Sequence, residues 1–152
     1  NRGPLTINVD AYSPHDLINA LAARTKSLSH GRFVVETRLA ADLPAVAFFD
    51  RDLVEMAMMN AIQNSLAYAR ARIVIEAALE AGGLVLTVRD DSAGYPPQVL
   101  ESVAAGTPYR SRGTGLGLQF ARLIAQLHEN RGCRGALYLS SDQGAVFRLV
   151  LP

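Results

Sequence analysis

The feature that most constrains the fold is a helical segment that is apolar on nearly every side. It lies between Asp50 and Ala69. Its apolar residues are Met56, Ala57, Met58, Met59, Ala61, Ile62 and Leu66. A helix with so little polar surface must be covered by other elements. We therefore expect it to be well buried within the domain.

Strand-like and helix-like segments alternate on both sides of this central helix. Alternating or β-branched stretches predict strands at Leu5 to Val9, Phe33 to Leu39, Arg72 to Ala78, Leu84 to Asp90, Ala136 to Ser140 and Ala145 to Leu151. A first helix is expected from Pro14 to about Ser29 and a third from about Leu116 to His128. The stretch from Ser92 to Arg112 is expected to be mainly loop. This order predicts an α+β fold, with helices on one face of a mixed sheet.

The composition of the chain excludes several classes of protein. The 152 residues suit one domain, and a net charge of +1 is too balanced for a dedicated nucleic-acid binder. The longest uncharged apolar stretch, Leu43 to Phe49, is too short to span a bilayer. Cys133 is the single cysteine, so an internal disulfide is excluded and a reduced compartment is expected. Because the first residue is Asn1 and no leader follows, we expect a piece of a larger protein.

Two amides interrupt the apolar surface of the central helix. Asn60 and Asn64 are four residues apart and so share one face, with Tyr68 one turn further along. Buried amides need hydrogen-bond partners. They could bond the backbone of a neighbouring loop, or their oxygens could face a ligand or a hydrated cation.

A second polar group follows a predicted strand. Asp90 and Asp91 end the strand and are followed by small residues and then Pro96. Aspartate, serine, glycine and proline are typical of a turn. A carboxylate beside small residues also suits a flat ligand that approaches the backbone closely.

A glycine-rich segment opens directly into the third helix. Gly113-Thr114-Gly115-Leu116-Gly117-Leu118 lacks the spacing of a dinucleotide fingerprint and the lysine of a P-loop. A helix start with glycines can nevertheless bind phosphate through its free N–H groups. Arg110 and Arg112 could add charge-assisted donors, or could be solvated charges on a flexible loop. Taken together, the three groups would form a complete nucleotide site.

These motifs resemble those of the GHKL ATP-binding superfamily, most closely the catalytic ATP-binding domain of sensor histidine kinases. Asn60 to Tyr68 resembles the N box, Asp90 to Pro96 the G1 box, and Gly113 to Leu118 the G2 box. Ser141 to Pro152 resembles the closing strands, and Phe49-Asp50 the lead-in to the N box. The resemblance implies a two-layer α/β sandwich of the Bergerat type, with a mixed five-stranded sheet and about three helices on one face.

The resemblance also implies ATP and Mg²⁺ as ligands. Asn64 would ligate Mg²⁺ with help from Asn60, and these two are the expected catalytic residues. Asp90 would accept a hydrogen bond from the adenine amino group, Gly94 would let the base approach the backbone, and Tyr68 would pack near adenine or ribose. The expected phosphate-facing residues are Arg110, Arg112, Gly113, Thr114, Gly115, Leu116, Gly117 and Leu118. A mobile lid would lie between Pro97 and Arg112.

By the same resemblance, residues 1–152 are one histidine-kinase catalytic domain that is inactive alone. It would donate the γ-phosphoryl group of ATP to a histidine on a separate dimerisation domain of the same protein. His15, His30 and His128 do not sit in the phosphoacceptor pattern, and His128 is expected to cap a helix end as a cation. ATP hydrolysis is disfavoured because Asn60 stands where the hydrolysing branches have a glutamate.

Two departures from the motifs leave an alternative open. Ser92 replaces a G1-box glycine, and Ala67 replaces a basic N-box residue. The alternative is a degenerate GHKL module that regulates a partner kinase by docking, without phosphotransfer. For the kinase, the expected indirect partner is a response regulator, the domain itself is expected to be monomeric, and its location is expected to be cytoplasmic, whether or not its parent is membrane-attached.

Overall fold

The main sheet joins strands from both halves of the chain. The computed structural model describes residues 6–106 and 114–152, and the side chains of 114–116 are not described. The strand order is β2 (Val34–Leu39), β4 (Arg72–Glu80), β5 (Gly83–Asp90), β9 (Ala145–Leu151) and β8 (Ala136–Ser141). β2 and β4 are parallel and the other neighbours are antiparallel. The predicted mixed, five-stranded sheet is therefore confirmed.

Four helices cover one face of this sheet: α1 (Pro14–Ser29), α2 (Arg51–Tyr68), α3 (Pro97–Ala105) and α4 (Thr114–Leu127). Alternate strand residues point toward them and are buried, among them Ile73, Ile75, Leu86, Val88, Phe147 and Leu149. The central α2 packs against α1, α4 and the strands β4 and β5. Its expected deep burial is confirmed, because Val54, Ala57, Met58 and Ile62 are fully buried. Each large apolar side chain buried here contributes about 1.5–3 kcal/mol.

Side-chain caps set the starts of the first two helices. The Ser13 hydroxyl accepts a hydrogen bond from the Asp16 N–H at 3.1 Å. The Asp50 carboxylate accepts one from the Leu53 N–H at 3.0 Å and another from the Asn8 N–H at 2.7 Å. A cap of this kind stabilises a helix by about 1 kcal/mol. Asp50 also ties the incoming chain to the start of α2.

In the part of the chain that the structure describes, the other face of the sheet carries ion pairs and no helix. Glu76 pairs with Arg38 and Arg89, and Arg148 contacts Glu80 and lies over the ring of Tyr138. The aliphatic stems of such side chains cover apolar surface while their charges stay in water. The fold therefore has two layers, as expected. No helix in the described ranges is long and apolar enough to cross a membrane.

The predicted first strand is wrong. Residues 6–9 are not in a strand, and β1 is instead Asp10–Tyr12. It pairs with β3 (Ala47–Phe49), with Asp10 opposite Phe49. The alternating pattern is present upstream, but the position of pairing is set by β3, a partner distant in sequence.

The prediction of a mainly loop-like stretch from Ser92 to Arg112 is wrong for residues 97–105. Residues 97–105 form α3, which packs against α4 and β8. Pro97 stands at the first turn, Val99 and Val103 are buried four residues apart, and Gly106 ends the helix. With α3, the described residues contain four helices where about three were expected. Residues 107–112 of the expected lid lie outside the described residues.

His128 does not act as an exposed cation. It is buried, and its Nε2 accepts a hydrogen bond from the Asp50 N–H at 3.0 Å. Its Nδ1 lies 2.9 Å from the Ile124 carbonyl oxygen and so donates to it. Both bonds together require the neutral ring. The residue links the end of α4 to the start of α2, ahead of a small hairpin of β6 (Glu129–Asn130) and β7 (Cys133–Arg134) that the sequence did not predict.

Candidate nucleotide-binding site

The Asp90 carboxylate is held in place at the end of β5. Its Oδ1 accepts hydrogen bonds from the Ser92 N–H at 2.9 Å and the Ala145 N–H at 3.1 Å. Its Oδ2 accepts one from the Ser65 hydroxyl of α2 at 2.7 Å. Three donors from three elements fix the orientation of the carboxylate, and Oδ2 keeps capacity for another donor.

Asp91 anchors the same turn to the link between α2 and β4. Its carboxylate accepts from the Arg70 N–H at 2.8 Å and the Ala71 N–H at 3.0 Å. Partial burial raises the pKa of Asp91, but hydrogen bonds from four backbone N–H groups outweigh it, so the pKa lies below its usual value. Asp91 is thus a structural residue that holds Asp90 against α2.

The turn after Asp91 is shaped by Gly94 and Ser141. Gly94 has a φ of 93°, and a Cβ at this position would lie 2.6 Å from the Ser141 Oγ. Ser141 Oγ accepts a hydrogen bond from the Tyr95 N–H at 3.1 Å. Burial and the charge of Asp90 raise the pKa of the Tyr95 phenol well above its usual range. Tyr95 therefore stays protonated beside the carboxylate.

The N-box helix approaches α4 at Asn60. A Cβ on Gly117 would lie 2.7 Å from the Asn60 Oδ1, so glycine allows this close contact. Asn64 is half-buried one turn further along α2, and Tyr68 ends the helix with 65% of its surface exposed. The amide of Asn60 thus faces the first turns of α4, where a helix offers unpaired N–H groups to an anion.

The glycine-rich segment is described only in part. Gly117 and Leu118 lie in α4, and Leu118 is fully buried. The backbone of Thr114, Gly115 and Leu116 is also helical. Arg110, Arg112 and Gly113 lie outside the described residues. The structure therefore joins Asp90 to α2 through Ser65 and joins α2 to α4 through Asn60.

A groove of about 500 Å³ extends from Asn60 toward the start of α2. It is lined by Arg24, Asp52, Glu55, Met56, Met59, Asn60, Gln63 and Phe120. Asp90 contacts the same helix at Ser65, five residues in the other direction, which is about 7.5 Å along the axis. The candidate site thus has a carboxylate at one end and an open groove beside Asn60.

Comparison with known proteins agrees with this arrangement. Residues 49–152 match the HATPase_c family, described as histidine kinase-, DNA gyrase B- and HSP90-like ATPase. The chain belongs to this family. The match includes all of α2, Asp90 and α4, so the HATPase_c assignment rests on the elements that form the candidate site.

Curated relatives of this HATPase_c domain are sensor kinases. The chain is 33% identical to the sensor protein KdpD of Escherichia coli over 110 residues, covering 68% of this chain and 12% of KdpD. It is 34% identical to the sensor histidine kinase MtrB of Mycobacterium tuberculosis over 125 residues, covering 75% of this chain and 22% of MtrB. The chain therefore spans a small part of the length of these relatives.

Solved structures share the fold at low identity. The catalytic domain of histidine kinase ThkA, in a nucleotide-free form, aligns with a TM-score of 0.79 at 18% identity, covering 95% of this chain and 97% of that one. Full-length ShkA in complex with AMPPNP aligns with a TM-score of 0.80 at 18% identity, covering 99% of this chain and 32% of that one. The chain therefore has the fold of histidine-kinase catalytic domains, as the resemblance implied.

Two contacts of the site were not predicted from the sequence. Ser65 donates to Asp90 from within the N-box helix, and Tyr95 lies close enough to Asp90 for the carboxylate to raise its pKa. A signal for Ser65 was available, since a hydroxyl on a buried helix surface needs a partner. No such signal was available for Tyr95, because an aromatic residue after a turn commonly packs into a hydrophobic core.

Proposed function

We propose that this domain binds ATP with adenine at Asp90 and the phosphates at Asn60, Asn64 and the first turns of α4. The observation that carries the proposal is the fixed Asp90 carboxylate at the end of β5, which accepts a hydrogen bond from Ser65 on the helix that also carries Asn60. An acceptor with spare capacity suits the adenine amino group, and a helix start with glycines suits phosphate. The separation of about 7.5 Å along α2 leaves room for ribose and phosphates between them.

The described residues also fit a magnesium ion shared with the phosphates. The amide oxygens of Asn60 and Asn64 are hard ligands of the kind that Mg²⁺ accepts. Within the described residues, no group of three or more histidine, cysteine, aspartate or glutamate side chains could hold a metal alone. Mg²⁺ commonly binds through few protein ligands together with substrate phosphates. When bound, the ion would neutralise charge on the phosphate oxygens.

The reaction that we propose is transfer of the γ-phosphoryl group to a histidine of another domain in the same protein. A histidine ring nitrogen forms the new bond to the γ-phosphorus while the bond to the β–γ bridging oxygen breaks, and ADP leaves. Asn60 cannot remove a proton from water, which favours transfer over hydrolysis. The groove beside Asn60 gives the incoming ring a route to the phosphates. Catalysis would then depend on positioning and on charge.

The remaining partners follow from this reaction. The dimerisation domain that carries the histidine is the direct partner, and a response regulator receives the phosphoryl group next. We place the reaction in the cytoplasm and expect the isolated domain to be monomeric. Nucleic acid is not expected as a partner, because the chain carries a net charge of only +1.

Reconstitution with a histidine-bearing dimerisation domain of the same protein tests the proposal. With ATP labelled at the γ-phosphate and Mg²⁺, the label should move to that domain and become acid-labile, as expected for a phosphohistidine. Asn64→Ala should abolish the transfer, whereas Asn130→Ala, which changes an exposed asparagine of the β6–β7 hairpin, should not. Release of inorganic phosphate without the second domain would contradict the proposal and favour hydrolysis.

A second candidate is a module that docks on a partner kinase without phosphotransfer. Its support is that Ala67 is exposed where a basic residue would reach a phosphate, and that Ser92 occupies the turn beside Asp90. Nucleotide binding without any transfer of label in the reconstitution would favour this function.

A further inference from the structure

Ser92 carries a hydroxyl whose own proton has no acceptor among the described residues. Only 7% of Ser92 is exposed. Its Oγ accepts a hydrogen bond from the Gly94 N–H at 3.1 Å, so one lone pair is used and the O–H donor is left over. The hydroxyl oxygen is thus bonded, while its rotatable O–H can still donate one hydrogen bond. The Ser92 hydroxyl therefore has a hydrogen bond to donate to a ligand that reaches this turn.

The backbone of the same residue contacts the Asp90 carboxylate. The Ser92 N–H donates to Asp90 Oδ1, which fixes the two residues relative to each other. Asp90 Oδ2 has one hydrogen bond, from Ser65, and can accept a second. Asp90 can therefore accept one more hydrogen bond and Ser92 can donate one, from two residues that are bonded to each other.

This pair is complementary to the Watson–Crick edge of adenine. Adenine has an amino group at C6, which donates, next to the ring nitrogen N1, which accepts. Guanine has the reverse order there, with an accepting oxygen at C6 and a donating N1–H. Aspartate alone selects for the amino group, whereas a second group that donates would also select for an unprotonated N1.

We propose that Ser92 donates its hydroxyl proton to N1 of adenine while Asp90 accepts from the amino group. The inference rests on the proposed function, because it assumes that the ligand is an adenine nucleotide. Ser92 then takes a direct part in base selection. The replacement of glycine by serine in this turn is thereby a recognition contact rather than a defect.

Calorimetric titration with ADP and with 1-deaza-ADP, both with Mg²⁺, tests the contact. The 1-deaza analogue keeps the amino group but has C–H in place of N1. We expect the unmutated domain to prefer ADP by about 3- to 10-fold, the value of one net hydrogen bond. In Ser92→Ala, ADP should bind more weakly and the preference should fall to about one.

Ser65→Ala is the matched control, since Ser65 is a buried serine that bonds Asp90 but is not proposed to reach N1. The Ser65→Ala variant should bind both nucleotides more weakly and should keep the preference for ADP. Circular dichroism should show that both variants fold. A preference for ADP that persists in Ser92→Ala, or that is absent from the unmutated domain, would overturn the role of Ser92 and would leave the proposed function standing. If neither ligand binds the unmutated domain, the proposed function fails and the inference fails with it.

Discussion

Replacing Asp90 by asparagine should separate ligand recognition from folding. The two backbone N–H groups of Ser92 and Ala145 can only donate, so the asparagine carbonyl oxygen must stay where Oδ1 is now. The NH₂ group then takes the place of Oδ2. The Ser65 hydroxyl can rotate and accept from it, because a hydroxyl both donates and accepts. The adenine amino group, however, would meet a donor where it now meets an acceptor.

The magnitude follows from these contacts. Loss of one hydrogen bond to a charged acceptor costs about 1.5–3 kcal/mol, which weakens ATP binding about 10- to 150-fold. The free energy of unfolding should fall by less, since the N–H groups of Ser92 and Ala145 and the hydroxyl of Ser65 each keep a hydrogen bond to residue 90. Asp90→Ala, in contrast, leaves three buried groups unpaired at about 1–3 kcal/mol each and should destabilise the domain strongly.

The assay combines calorimetry with urea unfolding. A non-hydrolysable ATP analogue should lose affinity in Asp90→Asn, and the affinity for ITP, which has oxygen at C6, should rise relative to that for ATP. The free energy of unfolding of Asp90→Asn should stay within about 1–2 kcal/mol of the unmutated domain. Unchanged affinity together with a loss of stability as large as in Asp90→Ala would refute the assignment of Asp90 to the ligand.

Three further predictions follow from single contacts. The folded pKa of Asp91 is lowered, so its contribution to stability is present above its unfolded pKa of about 3.9 and is lost as the pH falls through the folded value. Asp91→Asn should therefore flatten the acid side of a plot of unfolding free energy against pH, and an unchanged slope would contradict this. His128→Ala should lower the free energy of unfolding by about 2–4 kcal/mol in urea, because a buried donor and acceptor lose their partner. Gly117→Ala should displace Asn60 and reduce the gain in nucleotide affinity that Mg²⁺ provides, by about 10-fold in calorimetry if one ligand contact of about 1.4 kcal/mol is lost.

The sequence predicted the parts of the fold that depend on local pattern. α2 was predicted within one residue at each end, because Asp50 is a strong N-cap signal and the apolar surface is continuous. α3 was missed because Pro96 and Pro97 suggested a loop, although Pro97 at the first turn and the spacing of Val99 and Val103 fit a helix. β1 was misplaced because its position depends on pairing with β3, which local alternation does not encode.

The candidate site, like the fold, was predictable from the sequence where local pattern marked a residue. Asp90, Asn60 and Gly117 stood out because polar or glycine residues interrupted apolar segments, and the structure places Asn60 against Gly117. Ser65 was not identified, since its contact with Asp90 depends on how α2 packs against the end of β5. The neutral, buried state of His128 was missed for the same reason, because its partner Asp50 is distant in sequence.

The most direct test of the nucleotide site is a titration followed by amide NMR. A non-hydrolysable ATP analogue with Mg²⁺ should shift the amide signals of Ser92, Gly94, Asn64 and Gly117 in a saturable manner. The signals of Glu76 and Tyr138, on the opposite face of the sheet, should stay unchanged. An absence of shifts at millimolar nucleotide, or shifts confined to the face that carries Glu76 and Tyr138, would contradict an ATP site between α2, the end of β5 and the start of α4.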